Sequence, residues 1–386
     1  MGVHTRKPDH AWHGHGARRR NDRRKPSSGL CRVASDASRL VLALSLLIFM
    51  VWPAWADTLR VATFDTELSR KGPGLMLRDI SRNVPQVDAV ATIIAQTAPD
   101  IIAIQGVDWD MDRLGLLALR DAISNAGHHF SYVFAHRPNA GLMTPFDLDG
   151  NGITGEPRDA QGYGRFSGQG GMAILSRWPI DEHSVQDFSD LLWRDLPNAQ
   201  MPYVNNAPFP SKEVHAVQRL SSTGHWVVPI HTPHGPISML TFDATPPVFD
   251  GPEDRNGLRN ADEITFWAKF MDQEIGRPIN TPFVILGNAN LDSTKGQGRH
   301  HAIRTLLTHP MLQDPMRQTQ AHGTDTVDWT DPVPGDMRVD YVLPARSLRV
   351  VASGVVWPSQ HTHAALSLAT IQTASRHRLV WVDLKY

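Results

Sequence analysis

Val284-Ile285-Leu286-Gly287-Asn288-Ala289-Asn290 is the stretch on which the fold turns. Three branched apolar residues run into a glycine and then into an Asn-x-Asn turn. That pattern describes a buried strand that delivers two amide side chains at its end. Arg60-Val61-Ala62-Thr63-Phe64-Asp65 and Ile101-Ile102-Ala103-Ile104-Gln105-Gly106 have the same form, an apolar run closed by a polar residue or glycine. Met239-Leu240-Thr241-Phe242-Asp243 repeats it, and Arg338-Val339-Asp340-Tyr341-Val342 opens another such strand. Near the end, Ser375-Arg376-His377 stands immediately before Arg378-Leu379-Val380-Trp381-Val382-Asp383. Several strand ends thus carry polar residues suited to one shared site.

Further strands are expected at 58–65, 100–105, 130–135, 171–176, 226–230, 237–243, 282–287, 338–343, 350–356 and 378–385. Apolar residues three and four apart predict helices over 87–96, 114–126, 261–274 and 299–307. Strands dominate and helices fall between them, which points to an α/β layered sandwich rather than to repeated βαβ units. The stretches 137–170 and 189–224 read as long loops, and loops of that length in a compact domain usually serve function. One domain is expected over 57–386, with no internal repeat.

The ordered set of strand ends resembles the endonuclease/exonuclease/phosphatase superfamily of DNase-like hydrolases. The resemblance implies a four-layer α/β/β/α sandwich of two mixed β-sheets, with the site where strand ends of both sheets meet. It also implies hydrolysis of a phosphate ester with Mg²⁺ or Mn²⁺, since a hard cation held by carboxylates activates water and stabilises charge on the phosphoryl oxygens. The expected substrate or ligand is a phosphorylated small molecule or a nucleic acid. Asn290, His377 and Asp340 match the family pattern, and Asp340 is expected to pair with His377.

Other positions depart from it. Asp65 replaces an Asn, Gly106 replaces the metal-binding Glu, and Asn288 replaces the Asp that would act as base. Asp243 stands where a His would sit, and Arg376 replaces an Asp. Changing a ligand or its support typically costs about 10–100-fold in metal affinity or activity, and here several change together. Two readings stand. In one, the metal has moved onto Asp65 and Asp243, with Arg376 neutralising phosphoryl oxygens, His377 stabilising or protonating charge and Asn290 orienting the ester. In the other, the protein binds a phosphate or carboxylate without cutting it. If the old geometry persists, Asn288→Asp with Gly106→Glu is expected to raise hydrolysis.

Two other segments draw notice. Asp147-Leu148-Asp149-Gly150-Asn151-Gly152 has oxygen ligands at alternate positions and Gly sixth, like the opening of a calcium-binding loop. Position twelve is Arg158 where Glu is needed, so a structural Ca²⁺ on Asp147, Asp149 and Asn151 and a plain acidic turn both remain open. The Pro-rich segment after Asp243 leads to Arg255, Asn256, Arg259 and Asn260. These four are candidates for substrate phosphate, or for pinning a long loop through its backbone. His225 and Trp226 are candidates for lining the cleft.

Residues 1–56 read as an export signal. Six basic residues lie in 18–25, a 13-residue apolar run spans 40–52, and Ala54-Trp55-Ala56 offers a cleavage site. The apolar run is shorter than the roughly 20 residues a membrane span needs, so no stable membrane insertion is expected after cleavage, and the location is periplasmic or secreted. Residues 57–386 carry 28 basic and 36 acidic residues, a formal charge of −8, which argues against a strongly basic nucleic-acid binder. Cys31 is the only cysteine, so 57–386 can form neither a disulfide nor a thiolate metal site.

Overall fold

A computed structural model of the chain describes residues 58–318, 323–330, 332–357 and 366–385. The leader and its cleavage position lie outside the described residues. In chain order the strands are β1 (Thr58–Asp65), β2 (Ile101–Val107), β3 (Tyr132–Phe134), β4 (Gly171–Ser176), β5 (Gln186–Asp187), β6 (Tyr203–Val204), β7 (Ala207–Pro208), β8 (His225–Thr232), β9 (Gly235–Asp243), β10 (Phe283–Asn288), β11 (Asp340–Pro344), β12 (Arg349–Val355) and β13 (Val380–Lys385). The helices are α1 (Leu75–Ser81), α2 (Pro85–Thr97), α3 (Leu114–Asn125), α4 (Lys212–Val217), α5 (Arg255–Met271), α6 (His301–Leu307) and α7 (Leu368–Ala374).

Two mixed sheets carry the fold. The first has the order β12-β13-β1-β2-β4-β3 and the second β11-β10-β9-β8-β5; β6 and β7 form a separate hairpin. The two-residue alternation of strands decides which face each residue takes. On β1, Leu59 and Val61 enter the core shared with the second sheet, while Ala62 and Phe64 pack with α1, α2, α3 and α7 on the outer face. Ile101 and Ala103 against Ile102 and Ile104 divide in the same way on β2. Helices therefore cover the outer faces, giving the four-layer sandwich expected from the strand ends.

Helix α2 opens on Pro85, whose missing N–H costs nothing in a first turn. Its Val87, Val90 and Ile94 then lie on one buried stripe. Helix α5 begins at Arg255, six residues before the periodicity suggested, because Arg255, Arg259 and Asn260 are buried although polar. Apolar spacing could not reveal that turn. Helices α1, α4 and α7, of six or seven residues, were too short to register as a period.

Candidate active site

The pairing register brings the strand ends together. Asn288 is the last residue of β10 and stands opposite Asp243 on parallel β9 and opposite Asp340 on antiparallel β11. The second sheet therefore offers Asp243, Asn288 and Asp340 side by side. Gly287 makes this possible: a Cβ there would lie 2.0 Å from the carbonyl oxygen of Phe242, so only glycine lets β10 come this close to β9. Across the sandwich, Asp65 ends β1, and Nδ2 of Asn288 donates to its Oδ2 at 3.2 Å. One hydrogen bond thus ties the two sheets at the site.

His377 precedes β13 and is 5 % exposed, while Asp340 is fully buried. Nδ1 of His377 donates to Oδ2 of Asp340 at 3.0 Å, and Nε2 lies 3.8 Å from Oδ2 of Asp65. Burial works against the imidazolium, but Asp340 first and Asp65 second outweigh it and carry His377 up to about 9. At neutral pH it is a cation between two carboxylates. Burial raises Asp65, opposed by His377 and reinforced by Asp340 and Glu67. Asp243 stands well above the usual carboxylate range, first through burial and then through Asp65 and Glu263.

Glu67 belongs to this site and no sequence pattern marked it. It lies two residues beyond β1 in a left-handed conformation with φ +48°. Oδ1 of Asp65 accepts its backbone N–H at 3.1 Å. Arg376 grips its carboxylate, donating Nε and Nη2 to Oε1 and its backbone N–H to Oε2. Ser375 Oγ lies 3.2 Å from Oε2 and 2.8 Å from the Asp65 carbonyl, to one of which it donates. Burial would raise Glu67, but the Arg376 bonds prevail and hold it below the ordinary value. The guanidinium read from sequence as a phosphate clamp is therefore engaged with a neighbouring side chain.

These groups line an open cleft of about 930 Å³, floored by Asp65, Glu67, Asp243, Asn288, Asn290 and His377. One wall is apolar and includes Phe249, 75 % exposed, and Val333, 77 % exposed. Asn290, at φ +49°, donates Nδ2 to the carbonyl of Ala244. Oδ2 of Asp243 accepts from Thr223 at 3.3 Å. Buried Glu263 braces the surrounding backbone by accepting from the N–H groups of Ser222 and Thr245.

The cleft lacks the ligand set that the resembling family offers its divalent ion. Gly106 has φ +68°, and a Cβ there would lie 2.5 Å from Oδ1 of Asp65 and 2.9 Å from the Glu67 nitrogen. The place of the metal-binding Glu is filled. Both oxygens of Asp65 already accept hydrogen bonds, both of Glu67 are held, and two cations stand beside them. A Glu introduced at 106 together with Asn288→Asp would meet this conflict at its first side-chain carbon.

Among the described residues, the one acidic group whose oxygens converge within 4.8 Å is Asp147, Asp149 and Asp159, away from the cleft. Asp159 takes the place expected of Asn151, whose Oδ1 accepts from the Ile153 N–H while its Nδ2 donates to Glu156. Arg158 lies 3.5 Å from Asp149 and adds a positive charge beside that group.

The other candidates lie elsewhere. Arg255 Nη1 donates to the Leu148 carbonyl and Asn256 Nδ2 to that of Val248. Arg259 donates to the carbonyls of Leu220, Gln161 and Arg219, and Asn260 to those of Thr245 and Ala289. They pin the segment that follows Asp243, and none of the four lines the cleft. His225 and Trp226 are wholly buried in the core, because the His225 ring satisfies both nitrogens internally, on Ser221 and on the Glu263 carbonyl.

Comparison with known proteins agrees with this architecture. A sequence profile of the Endonuclease/Exonuclease/phosphatase family matches residues 62–377. The structure is similar to that of an endonuclease/exonuclease/phosphatase from Beutenbergia cavernae DSM 12333, at 18% identity and TM-score 0.52, covering 85% of this chain and 71% of that one. It is also similar to an endonuclease/exonuclease/phosphatase family protein from Leptotrichia buccalis C-1013-b, at 14% identity and TM-score 0.50, covering 85% and 100%. At these identities the likeness shows the fold. No curated protein matches the chain.

Proposed function

The chain belongs to the endonuclease/exonuclease/phosphatase family, and we propose that it binds a phosphate ester in the strand-end cleft without the family's metal-dependent hydrolysis. One observation carries this reading: the space beside Gly106, where the family's metal-binding Glu would stand, is filled by Asp65 and Glu67. Asn288, in the place of the general base, cannot take a proton from water. What remains suits binding. The His377 imidazolium and the Asn288 and Asn290 amides face the cleft, and the apolar wall accommodates the organic part of the ester. A phosphorylated small molecule fits better than nucleic acid, given the acidic balance of residues 57–386.

A second reading is favoured by Asp243, whose Oδ1 accepts no hydrogen bond among the described residues. A protein that still cut its ester would hold Mg²⁺ or Mn²⁺ there with Asp65, and the His377–Asp340 pair would serve the phosphate. The two readings separate in one experiment. The purified protein is given generic phosphate mono- and diesters with Mg²⁺, Mn²⁺ or Ca²⁺, with chelator and His377→Ala as controls, while calorimetry follows binding. Binding without turnover is expected. Turnover that needs both metal and His377 would establish the hydrolase, and neither binding nor turnover would sink both readings.

Export to the periplasm or medium belongs to the same proposal and is supported by the basic, apolar and small-residue order of 1–56. Among the described residues, no helix is long and apolar enough to cross a membrane. Sequencing the N-terminus of protein recovered from each cell fraction should find Asp57 first in the exported fraction.

A further inference from the structure

A second cavity, of about 410 Å³, shares the 245–249 segment with the cleft: Thr245, Pro246, Val248 and Phe249, together with Tyr163, face both. Its charge has one sign. Arg158, Arg255 and Arg259 line it, and no carboxylate does.

Two of these arginines are in an unusual state. Arg255 is 7 % exposed and Arg259 is 6 % exposed, and neither forms an ion pair with a carboxylate among the described residues. Arg255 has Nε buried with no hydrogen-bond partner, and of its other nitrogens only Nη1 is bonded, to a carbonyl. Arg259 uses Nε and Nη2 on carbonyls and keeps Nη1 unbonded. Nearby Glu263 directs its oxygens at Ser222 and Thr245 instead. Burial lowers both arginines, Arg259 to about 10, opposed by Asp149, Glu253 and Asp250 at Arg255 and by Glu263 at Arg259; a guanidinium keeps its charge at neutral pH.

Buried guanidinium groups with no carboxylate in direct contact are costly to the fold, and orphaned buried donors are rare in native structures. A planar guanidinium matches the oxygens of a phosphate or carboxylate with two parallel N–H bonds. The N-terminus of the 17-residue α5 opens at Arg255 and adds a positive field.

We propose that this cavity is an oxyanion site, in which Arg158, Arg255 and Arg259 bind a phosphate group. The volume exceeds what one phosphate fills, so the group belongs to a larger molecule whose organic part lies along Tyr163 and Phe249. The inference stands apart from the reading of the cleft, since the arginine cavity binds its anion whether or not the cleft hydrolyses an ester.

Calorimetry on the full chain, with chelator present, tests it with two probes, inorganic phosphate and phenyl phosphate. Wild type binds both, and phenyl phosphate binds more tightly; equal affinities would assign the site to free phosphate. Arg158→Ala, at a side chain 54% exposed and safe for folding, weakens binding tenfold or more. Arg255→Lys keeps the charge, loses the fork and weakens it likewise. The proposal is overturned if wild type binds neither probe. It is equally overturned if both arginine variants bind the probes as tightly as wild type.

Discussion

A Cβ on Gly106 would stand 2.5 Å from Oδ1 of Asp65, closer than such a pair of atoms can come. The backbone at φ +68° compounds the conflict, because a left-handed non-glycine residue stores about 1–3 kcal/mol. Gly106→Glu, alone or with Asn288→Asp, should therefore lower the unfolding temperature by several degrees and bring no metal-dependent turnover. A stable double variant that hydrolyses esters with Mg²⁺ would contradict this.

Removing Arg376 should weaken the protein modestly. Its side chain is 67% exposed, so the pair with Glu67 contributes at most about 1 kcal/mol. Glu67 has its folded pKa lowered, so that contribution is present above the ordinary carboxylate value and lost as the pH falls through the folded one. Denaturation curves of Arg376→Ala and wild type should differ at pH 7 and converge in acid.

Breaking the buried pair beneath them should cost more. Asp340 has no exposed surface and its partner is His377 at 3.0 Å. His377→Ala leaves a carboxylate buried without its cation, a change of about 3–5 kcal/mol. Asp340→Asn strands the imidazole instead. Both variants should show reduced denaturant midpoints, and a midpoint within error of wild type for either would mean the pair contributes nothing.

His225 makes the second sheet sensitive to acid. Burial lowers it from 6.5 to about 4, although the Glu263 carbonyl opposes that shift. The folded ring stays neutral while the unfolded chain takes up a proton below pH 6.5, so stability falls as the pH drops from there to about 4. At about 1.4 kcal/mol per pH unit the whole effect reaches about 3 kcal/mol. His225→Gln, which does not titrate, should show a flatter stability profile across that window in urea titrations.

How far the sequence could be read depended on distance along the chain. The strand-end residues were legible because apolar alternation fixes where each strand stops, and the stopping residue of one strand faces that of the next. Asp65, Asp243 and Asn288 end strands in this way, and the family resemblance added His377, which stands just before β13. Glu67 and Arg376 were not legible as partners: they are 309 positions apart, and both lie outside strands, where no period constrains direction. The left-handed turn at Glu67 sends its carboxylate toward Arg376, and backbone conformation of that kind leaves no trace in hydrophobic pattern. The arginines of α5 misled for a related reason, since polar residues before an apolar period look like loop until their burial is known.

The first sheet places β1 between β13 and β2, so the first strand of the fold pairs along one edge with the last. Thr58 meets Lys385, and Arg60 joins Asp383 while lying over the Trp381 ring. A chain emerging end-first from a ribosome or a translocation channel therefore holds an unpaired β1 edge until β13 is free. Closing so long a loop is slow, and the nascent polypeptide stays threadable until β13 has emerged. Loss of the six residues of β13 would leave β12 without its partner and open one edge of β1, exposing a sticky edge to other chains.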